Sequence, residues 1–226
     1  MNGIDEKEIF DLVNHQICNF YPEGGISASR MDSLRKALHI IEDNFQHRNN
    51  KYFNINGNVS FDIYNSVQYM LFLYYYSHKL YLDGDEASAT KVWYLNKIMH
   101  SCDWFYAIDL PVHFGAEHPL GSVLGRAKYD DYFFIYQGVS VGGSIDSEGN
   151  IKYPTLGNHV LMFSDSKILG DSRIGNYVVL SANSYVINED IPDNSIVFGQ
   201  SPNIVIKPMT KEKIRTLMGR IWKLDI

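Results

Sequence analysis

The sequence predicts an α+β protein in which a helical N-terminal half precedes a solenoid of short β-strands. Up to about residue 100, apolar residues recur at helical spacing, and from about residue 105 short β-rich runs and glycines replace that pattern. Neither a helix nor a single strand repeats every six residues, so a six-residue period indicates a solenoid with one inward-facing residue on each side. Large apolar residues follow this period at Leu156, Met162, Ile168, Ile174, Leu180 and Val186.

Four helices are expected in the N-terminal half. Ser27 or Ser29 is the expected N-cap of the second helix, and Ser60 is the expected N-cap of the third. A turn is predicted at Asn56-Gly57-Asn58, between these two helices. The apolar and periodic residues place the four helices at about 9–20, 31–41, 60–82 and 87–99.

The solenoid is expected to begin before Tyr129 and to end near Ile206, because Tyr129, Ile135 and Val141 continue the six-residue period upstream. Four residues after each of the first five apolar positions comes a short residue that fits a corner of the solenoid. These residues are Val160, Ser166, Ser172, Val178 and Ser184. The polar stretch Ser144–Tyr153 does not follow the period and is predicted to leave the solenoid as a loop, of the kind that often serves binding.

The tail from Thr210 is predicted to form an amphipathic helix that caps the open end of the solenoid. The expected divisions are an α-helical domain over residues 1–104, a β-helix over 105–207 and a C-terminal helix over 208–226.

Composition favours a cytoplasmic protein of 226 residues that binds neither nucleic acid nor membranes. The net charge is −6 and the basic residues are scattered, which is unlike a nucleic-acid footprint. The N-terminus lacks the apolar core of a signal peptide, and the apolar run Tyr69–Tyr76 is too short to span a bilayer, so it is predicted to be a buried helix. Cys18 and Cys102 have no metal-ligand spacing and are expected to be buried thiols, and no metal site is predicted.

Three features resemble the serine O-acetyltransferases of the hexapeptide-repeat acyltransferase superfamily. The first is a helical domain of about 100 residues before the solenoid. The second is the run EHPLG at Glu117–Gly121 followed by YQGVSVGG at Tyr136–Gly143. The third is a loop ending in Lys152-Tyr153-Pro154, then SKILGDSRIG at Ser166–Gly175 and a closing segment from Ile191 to Pro202. The resemblance implies a left-handed parallel β-helix and acetyl-CoA as a substrate.

On this resemblance His118 aligns with the catalytic histidine. An imidazole titrates near neutral pH, so it can take the proton of an attacking hydroxyl and return it to the departing thiolate. The resemblance also implies a carboxylate that orients the imidazole, and both Asp103 and Asp109 are candidates. Glu117 occupies the place of a substrate-contacting aspartate in the family.

The loop departs from the family at two positions. Lys152 replaces an arginine that grips the substrate carboxylate, which keeps the charge but loses the two-pronged geometry. Tyr153 replaces a histidine. Both would contact the acceptor, and the alternative is a solvated loop without a role.

The resemblance places acetyl-CoA in a groove between adjacent subunits. Small residues there would let the pantetheine arm approach the backbone closely. The same residues fit an ordinary solenoid corner equally well. The expected contacts are Gly142, Gly143, Ser164 and Ala182.

The expected function is acetyl-CoA-dependent O-acetylation of a small hydroxyl acceptor without a metal, and L-serine is the first candidate, as in cysteine biosynthesis. One alternative is O-acetylation of a sugar or sugar-nucleotide for surface polysaccharide synthesis, and another is a non-catalytic solenoid subunit. A homotrimer is expected, with a dimer of trimers as a further possibility.

Overall fold

The computed structural model describes residues 5–55 and 58–224, which divide into two compact units, Met1–Ala107 and Ile108–Ile226. The predicted turn at Asn56-Gly57-Asn58 includes residues 56 and 57, which lie outside the described residues. The helices are α1 (Glu6–Cys18), α2 (Met31–Gln46), α3 (Ser66–Leu82), α4 (Glu86–His100) and α5 (Lys211–Met218), with a 3-10 turn at Ala28–Arg30.

The strands are short, as the six-residue period requires. A small hairpin pairs β1 (Asn54–Ile55) with β2 (Asn58–Val59), and β3 (Asp103–Trp104) follows α4. The remaining strands belong to the solenoid unit: β4 (Phe114–Ala116), β5 (Val123–Leu124), β6 (Lys128–Tyr129), β7 (Phe133–Ile135), β8 (Ser140–Gly142), β9 (Ser144–Ile145), β10 (Ile151–Lys152), β11 (Thr155–Leu156), β12 (Leu161–Met162), β13 (Lys167–Leu169), β14 (Arg173–Ile174), β15 (Val179–Leu180), β16 (Tyr185–Ile187), β17 (Asp190–Ile191), β18 (Ser195–Phe198) and β19 (Val205–Pro208).

The helical unit is built around α3, whose tyrosine-rich run Tyr69–Tyr76 is buried throughout, as predicted. α3 begins at Ser66 and not after Ser60, because the Asn65 side chain accepts from the Gln68 backbone N–H and caps the helix there. Ser27 caps the 3-10 turn and not α2.

Cys102 is buried, and burial raises the pKa of its thiol to about 12. The prediction that Cys18 is buried is wrong. Cys18 is exposed at the end of α1, whose core-facing side carries Val13 and Ile17 instead. No helix in the described part of the chain is long and apolar enough to cross a membrane.

Three parallel sheets form the faces of the solenoid. The first face contains β5, β8, β13 and β16, the second contains β6, β11, β14 and β17, and the third contains β4, β7, β12, β15 and β18. Cα pairing matches apolar residues of successive coils, with Leu156 opposite Ile174, Met162 opposite Leu180 and Ile168 opposite Val186. All six side chains are buried, which confirms the predicted period.

The small residues at the corners have a second role that the sequence did not indicate. Ser166 and Ser172 are fully buried, and each hydroxyl donates to the carbonyl oxygen three residues earlier, at 2.6 Å and 2.7 Å. Ser122 does the same at 2.6 Å. These bonds satisfy a polar group inside the core and close the corner locally.

A C-terminal helix forms, but it covers only Lys211–Met218 of the predicted 208–226, and it does not cap the open end of the solenoid. After β18, the chain reverses into β19, which pairs with β18 antiparallel. The segment that follows then lies along the outer side of the third face. Its buried residues Met209, Ile214, Met218 and Trp222 pack against Phe134, Leu161 and Val179, which come from three successive coils.

Candidate active site

The turns that lead from the third face to the first form one corner of the solenoid, which we call the His118 corner. Its turns follow β4, β7, β12 and β15, and His118 lies in the first of them. Backbone bonds connect successive turns, from Gly138 N to Leu120 O, from Asp165 N to Gln137 O and from Asn183 N to Ser164 O. The corner therefore presents one turn per coil in a regular column.

His118 has a left-handed backbone conformation with a φ of 49°. Such a conformation is uncommon for a residue with a side chain, and the following Pro119 disfavours helical conformations at this position. The turn is held on both sides, because Glu117 N donates to Ile135 O at 3.0 Å and Leu120 N donates to His118 O at 2.8 Å. A strained residue that its surroundings hold in place is typical of a functional position.

The His118 imidazole is exposed, and none of the described residues of the solenoid unit hydrogen-bonds to the ring. Glu117 is exposed beside it. The backbone of His118 is thus held by hydrogen bonds, while its imidazole is open to solvent and available to a ligand.

The two candidate carboxylates lie in different units. In the helical unit, the Asp103 carboxylate accepts from Lys97 Nζ at 2.6 Å and from Trp93 Nε1 at 3.2 Å. Asp109 belongs to the solenoid unit and is exposed. Which of the two orients His118 stays a prediction.

Ser164 and Ala182 lie on the His118 corner, two and three coils beyond His118. Ser164 is half-buried and Ala182 is exposed, and both side chains are small. A shallow cavity of about 300 Å³ lies at the same corner, lined by Asp165, Lys167, Asn183, Tyr185 and Gln200.

Gly142 and Gly143 lie at the next corner, where the first face leads to the second. The stretch predicted to leave the solenoid does so here as a hairpin, in which β9 and β10 pair with Lys152 opposite Ser144. A Cβ on Gly143 would lie 2.9 Å from both Ile151 Cγ2 and Tyr153 Cε1, so the glycine lets the base of the hairpin fold over the corner.

Within one chain, the structure brings Gly143, Lys152 and Tyr153 together, and it brings His118, Ser164 and Ala182 to one corner. The two groups lie at opposite ends of the first face, with β8 between them.

Sequence reasoning missed Asp146, which lies at the tip of the hairpin. Its Oδ1 atom accepts from the backbone N–H groups of Glu148 and Asn150, and its Oδ2 atom lies 3.6 Å from Lys152 Nζ. The spacing of Asp146 and Asn150 around Gly149 is a turn signal, but no sequence pattern shows that the carboxylate reaches Lys152.

No family model matches the chain. Two curated relatives are serine acetyltransferases. The protein from Synechococcus elongatus is 36% identical over 92 residues, which are 40% of this chain and 37% of that protein. The protein from Staphylococcus epidermidis is 30% identical over 130 residues, which are 57% of this chain and 60% of that protein. The matches thus span less than two thirds of the length of these relatives.

Solved structures show the same fold over most of the chain. Serine acetyltransferase from Neisseria gonorrhoeae has a TM-score of 0.66 at 20% identity, covering 92% of this chain and 83% of that one. The Brucella abortus enzyme in complex with coenzyme A has a TM-score of 0.69 at 20% identity, covering 93% and 84%. The chain is therefore serine acetyltransferase-like, in sequence over part of its length and in fold over most of it.

Proposed function

We propose that the chain transfers the acetyl group of acetyl-CoA to the hydroxyl of L-serine. The observation that carries this proposal is the His118 corner, where an exposed histidine on a strained turn shares a column of turns with Ser164 and Ala182. The similarity to serine acetyltransferases supports the acceptor, and a relative solved with coenzyme A supports the donor.

The chemistry needs one base. The His118 imidazole removes the proton from the acceptor hydroxyl as its oxygen attacks the thioester carbonyl. The tetrahedral intermediate then collapses, the C–S bond breaks, and the imidazolium returns the proton to the departing thiolate of CoA. The acetyl group passes directly to the acceptor, so no covalent enzyme intermediate forms.

The corner suits an extended cofactor arm. Successive coils are ~4.8 Å apart, so the three coil steps from His118 to Ala182 span roughly 14 Å. A linear pantetheine chain laid along this column would meet small side chains and backbone groups, with its thioester at the His118 end. Metal is not part of this mechanism.

We further propose a homotrimer in the cytoplasm. Lys152 and Tyr153 lie at the far end of the first face from His118 in one chain, so a neighbouring copy would supply the hairpin that completes the acceptor site. This arrangement also agrees with the groove between subunits that the family resemblance implies.

An acceptor panel tests the function. Release of free CoA thiol is measured with L-serine, L-homoserine and amino sugars at saturating acetyl-CoA, and we expect the highest kcat/KM for L-serine. A preference for a sugar would replace serine with the sugar alternative. Absence of transfer to every acceptor would favour the non-catalytic solenoid.

A further inference from the structure

The excursion hairpin carries an internal counter-ion for Lys152. Residues Ser144 to Lys152 form a closed hairpin, in which Asp146 N donates to Asn150 O at 2.9 Å and Gly149 N donates to Asp146 O at 3.1 Å. These two bonds close the tip beyond the paired strands. Asp146 therefore has a defined place above the base of the hairpin, where Lys152 lies.

The Asp146 carboxylate is oriented before it meets Lys152. Its Oδ1 atom accepts from Asn150 N at 2.8 Å and from Glu148 N at 2.9 Å. These bonds direct the Oδ2 atom toward Lys152 Nζ, at 3.6 Å. The Asn150 backbone N–H, followed by the Glu148 N–H and the Lys152 charge, holds the pKa of Asp146 below its usual range.

The two partners differ in exposure. The side chain of Asp146 is 26% exposed and that of Lys152 is 46% exposed. The carboxylate is thus the fixed member of the pair, and the ammonium is the member that solvent or a ligand can reach. An anionic ligand that approached Lys152 would compete with Asp146 for the same charge.

We propose that Asp146 is a specificity-determining residue that neutralises Lys152 and thereby weakens the binding of acceptors that carry a carboxylate. The inference rests on the proposed function, in which Lys152 faces the acceptor. An acceptor with the same hydroxyl but without the carboxylate gains nothing from Lys152, so Asp146 does not affect its binding through Lys152. Asp146 is therefore a positioning residue for Lys152 and does not touch the reacting atoms.

The expected size of the effect is modest. A partly exposed ion pair of this kind contributes little free energy, and the corresponding change in affinity is about two- to fivefold. High salt screens such a pair, so the effect of Asp146 should shrink as the ionic strength rises.

The test compares L-serine with L-serinamide, which keeps the hydroxyl and replaces the carboxylate by a neutral amide. Asp146→Asn keeps the Oδ1 acceptor of the turn and removes only the charge. We expect KM for L-serine to fall about two- to fivefold, with kcat and KM for acetyl-CoA unchanged. KM for L-serinamide, which lacks the carboxylate, should not fall.

Lys152→Met provides the control background. If Asp146 acts through Lys152, Asp146→Asn should have no effect on KM for L-serine in the Lys152→Met protein. An equal change for both acceptors, an effect that persists without Lys152, or no change in KM for L-serine would overturn the inference.

A measurement without turnover separates this inference from the proposed function. The pKa of Asp146, followed by NMR of isotope-labelled aspartate carboxyls, should rise in Lys152→Met, and an unchanged value would overturn the pairing. If the pairing holds but the wild type acetylates neither acceptor, the role assigned to Asp146 falls together with the proposed function.

Discussion

The indole of Trp222 meets the ring of Tyr132 edge-on, with ring centroids 5.4 Å apart and planes at 84°. Trp222 also lies edge-on to Phe134 at 6.2 Å, and it is almost fully buried. A single side chain near the C-terminus thus joins the tail to Phe134 of the third face and to Tyr132 in the turn just before β7.

Trp222→Ala should therefore destabilise the solenoid unit. Removing a buried aromatic side chain of this size costs about 3–5 kcal/mol, and Trp222 belongs with Ile214 and Met218 to the cluster that packs the C-terminal segment against the third face. Urea unfolding followed by circular dichroism measures the loss. Lys213→Ala changes an exposed position of α5, in the same C-terminal segment, and should stay within about 0.5 kcal/mol of the wild type. Equal midpoints for Trp222→Ala and the wild type would contradict this role.

The stability of the unit should also depend on the protonation of His159. Its ring stacks between Tyr132 at 4.3 Å and Tyr177 at 4.6 Å, and its Nδ1 atom is buried without a hydrogen-bond partner among the described residues. Burial, with a smaller effect of the nearby His113, lowers the pKa of His159 from 6.5 to about 4. The folded chain thus binds this proton more weakly than the unfolded chain does.

The contribution of neutral His159 is fully present above pH 6.5 and is lost as the pH falls toward 4. The expected loss is on the order of 2 kcal/mol. His159→Phe keeps the stacking and removes the titration, so its free energy of unfolding should fall less between about pH 7 and about pH 4.5. Tyr177→Phe, in the next coil, should keep the wild-type pH dependence. A wild-type pH dependence in His159→Phe would refute the assignment.

His118→Ala should lower kcat by about 10²–10⁴-fold, because it removes the base that activates the acceptor hydroxyl. Affinity for acetyl-CoA, measured by calorimetry, should stay close to that of the wild type, since the column of turns does not need the imidazole. His39→Ala replaces an exposed histidine of α2 and serves as the matched control. Wild-type kcat in His118→Ala would require a different base.

Only one of the two candidate carboxylates should affect the chemistry. Asp103→Asn or Asp109→Asn should lower kcat and change its pH profile, and the other substitution should leave both unchanged. Asp103 also pairs with Lys97, so a structural effect must be separated from a catalytic one. Lys97→Met removes this partner while keeping Asp103. If Lys97→Met reproduces the kinetics of Asp103→Asn, the role of Asp103 is structural. A loss of rate in both Asp103→Asn and Asp109→Asn would contradict a single orienting carboxylate.

The six-residue period was enough to predict the solenoid and its inward residues, because each coil repeats the same steric requirement. It did not predict where α5 packs, since an amphipathic pattern identifies an apolar side but not its partner. The start of α3 was missed for a similar reason, because Asn65 and Ser60 are both acceptable caps and the choice depends on which side chain reaches a free N–H.

The candidate site was only partly predictable. His118 and the residues around it were found through a motif, but the left-handed backbone that presents the ring follows from the turn geometry. The pairing of Asp146 with Lys152 could not be predicted from the sequence, because the six-residue period does not assign neighbours to residues that lie outside it. A hairpin places such residues through its own closing bonds, which the sequence does not reveal.

The antiparallel pairing of β19 with β18 has a consequence for solubility. A solenoid of parallel strands ends in unpaired backbone groups, and such an edge is a template onto which another chain can add. Because β19 runs in the opposite direction and occupies the edge of the third face, it blocks the strand addition that would otherwise extend the coil. Strand addition at this face is thus limited to the outer edge of β19, whose direction does not continue the solenoid.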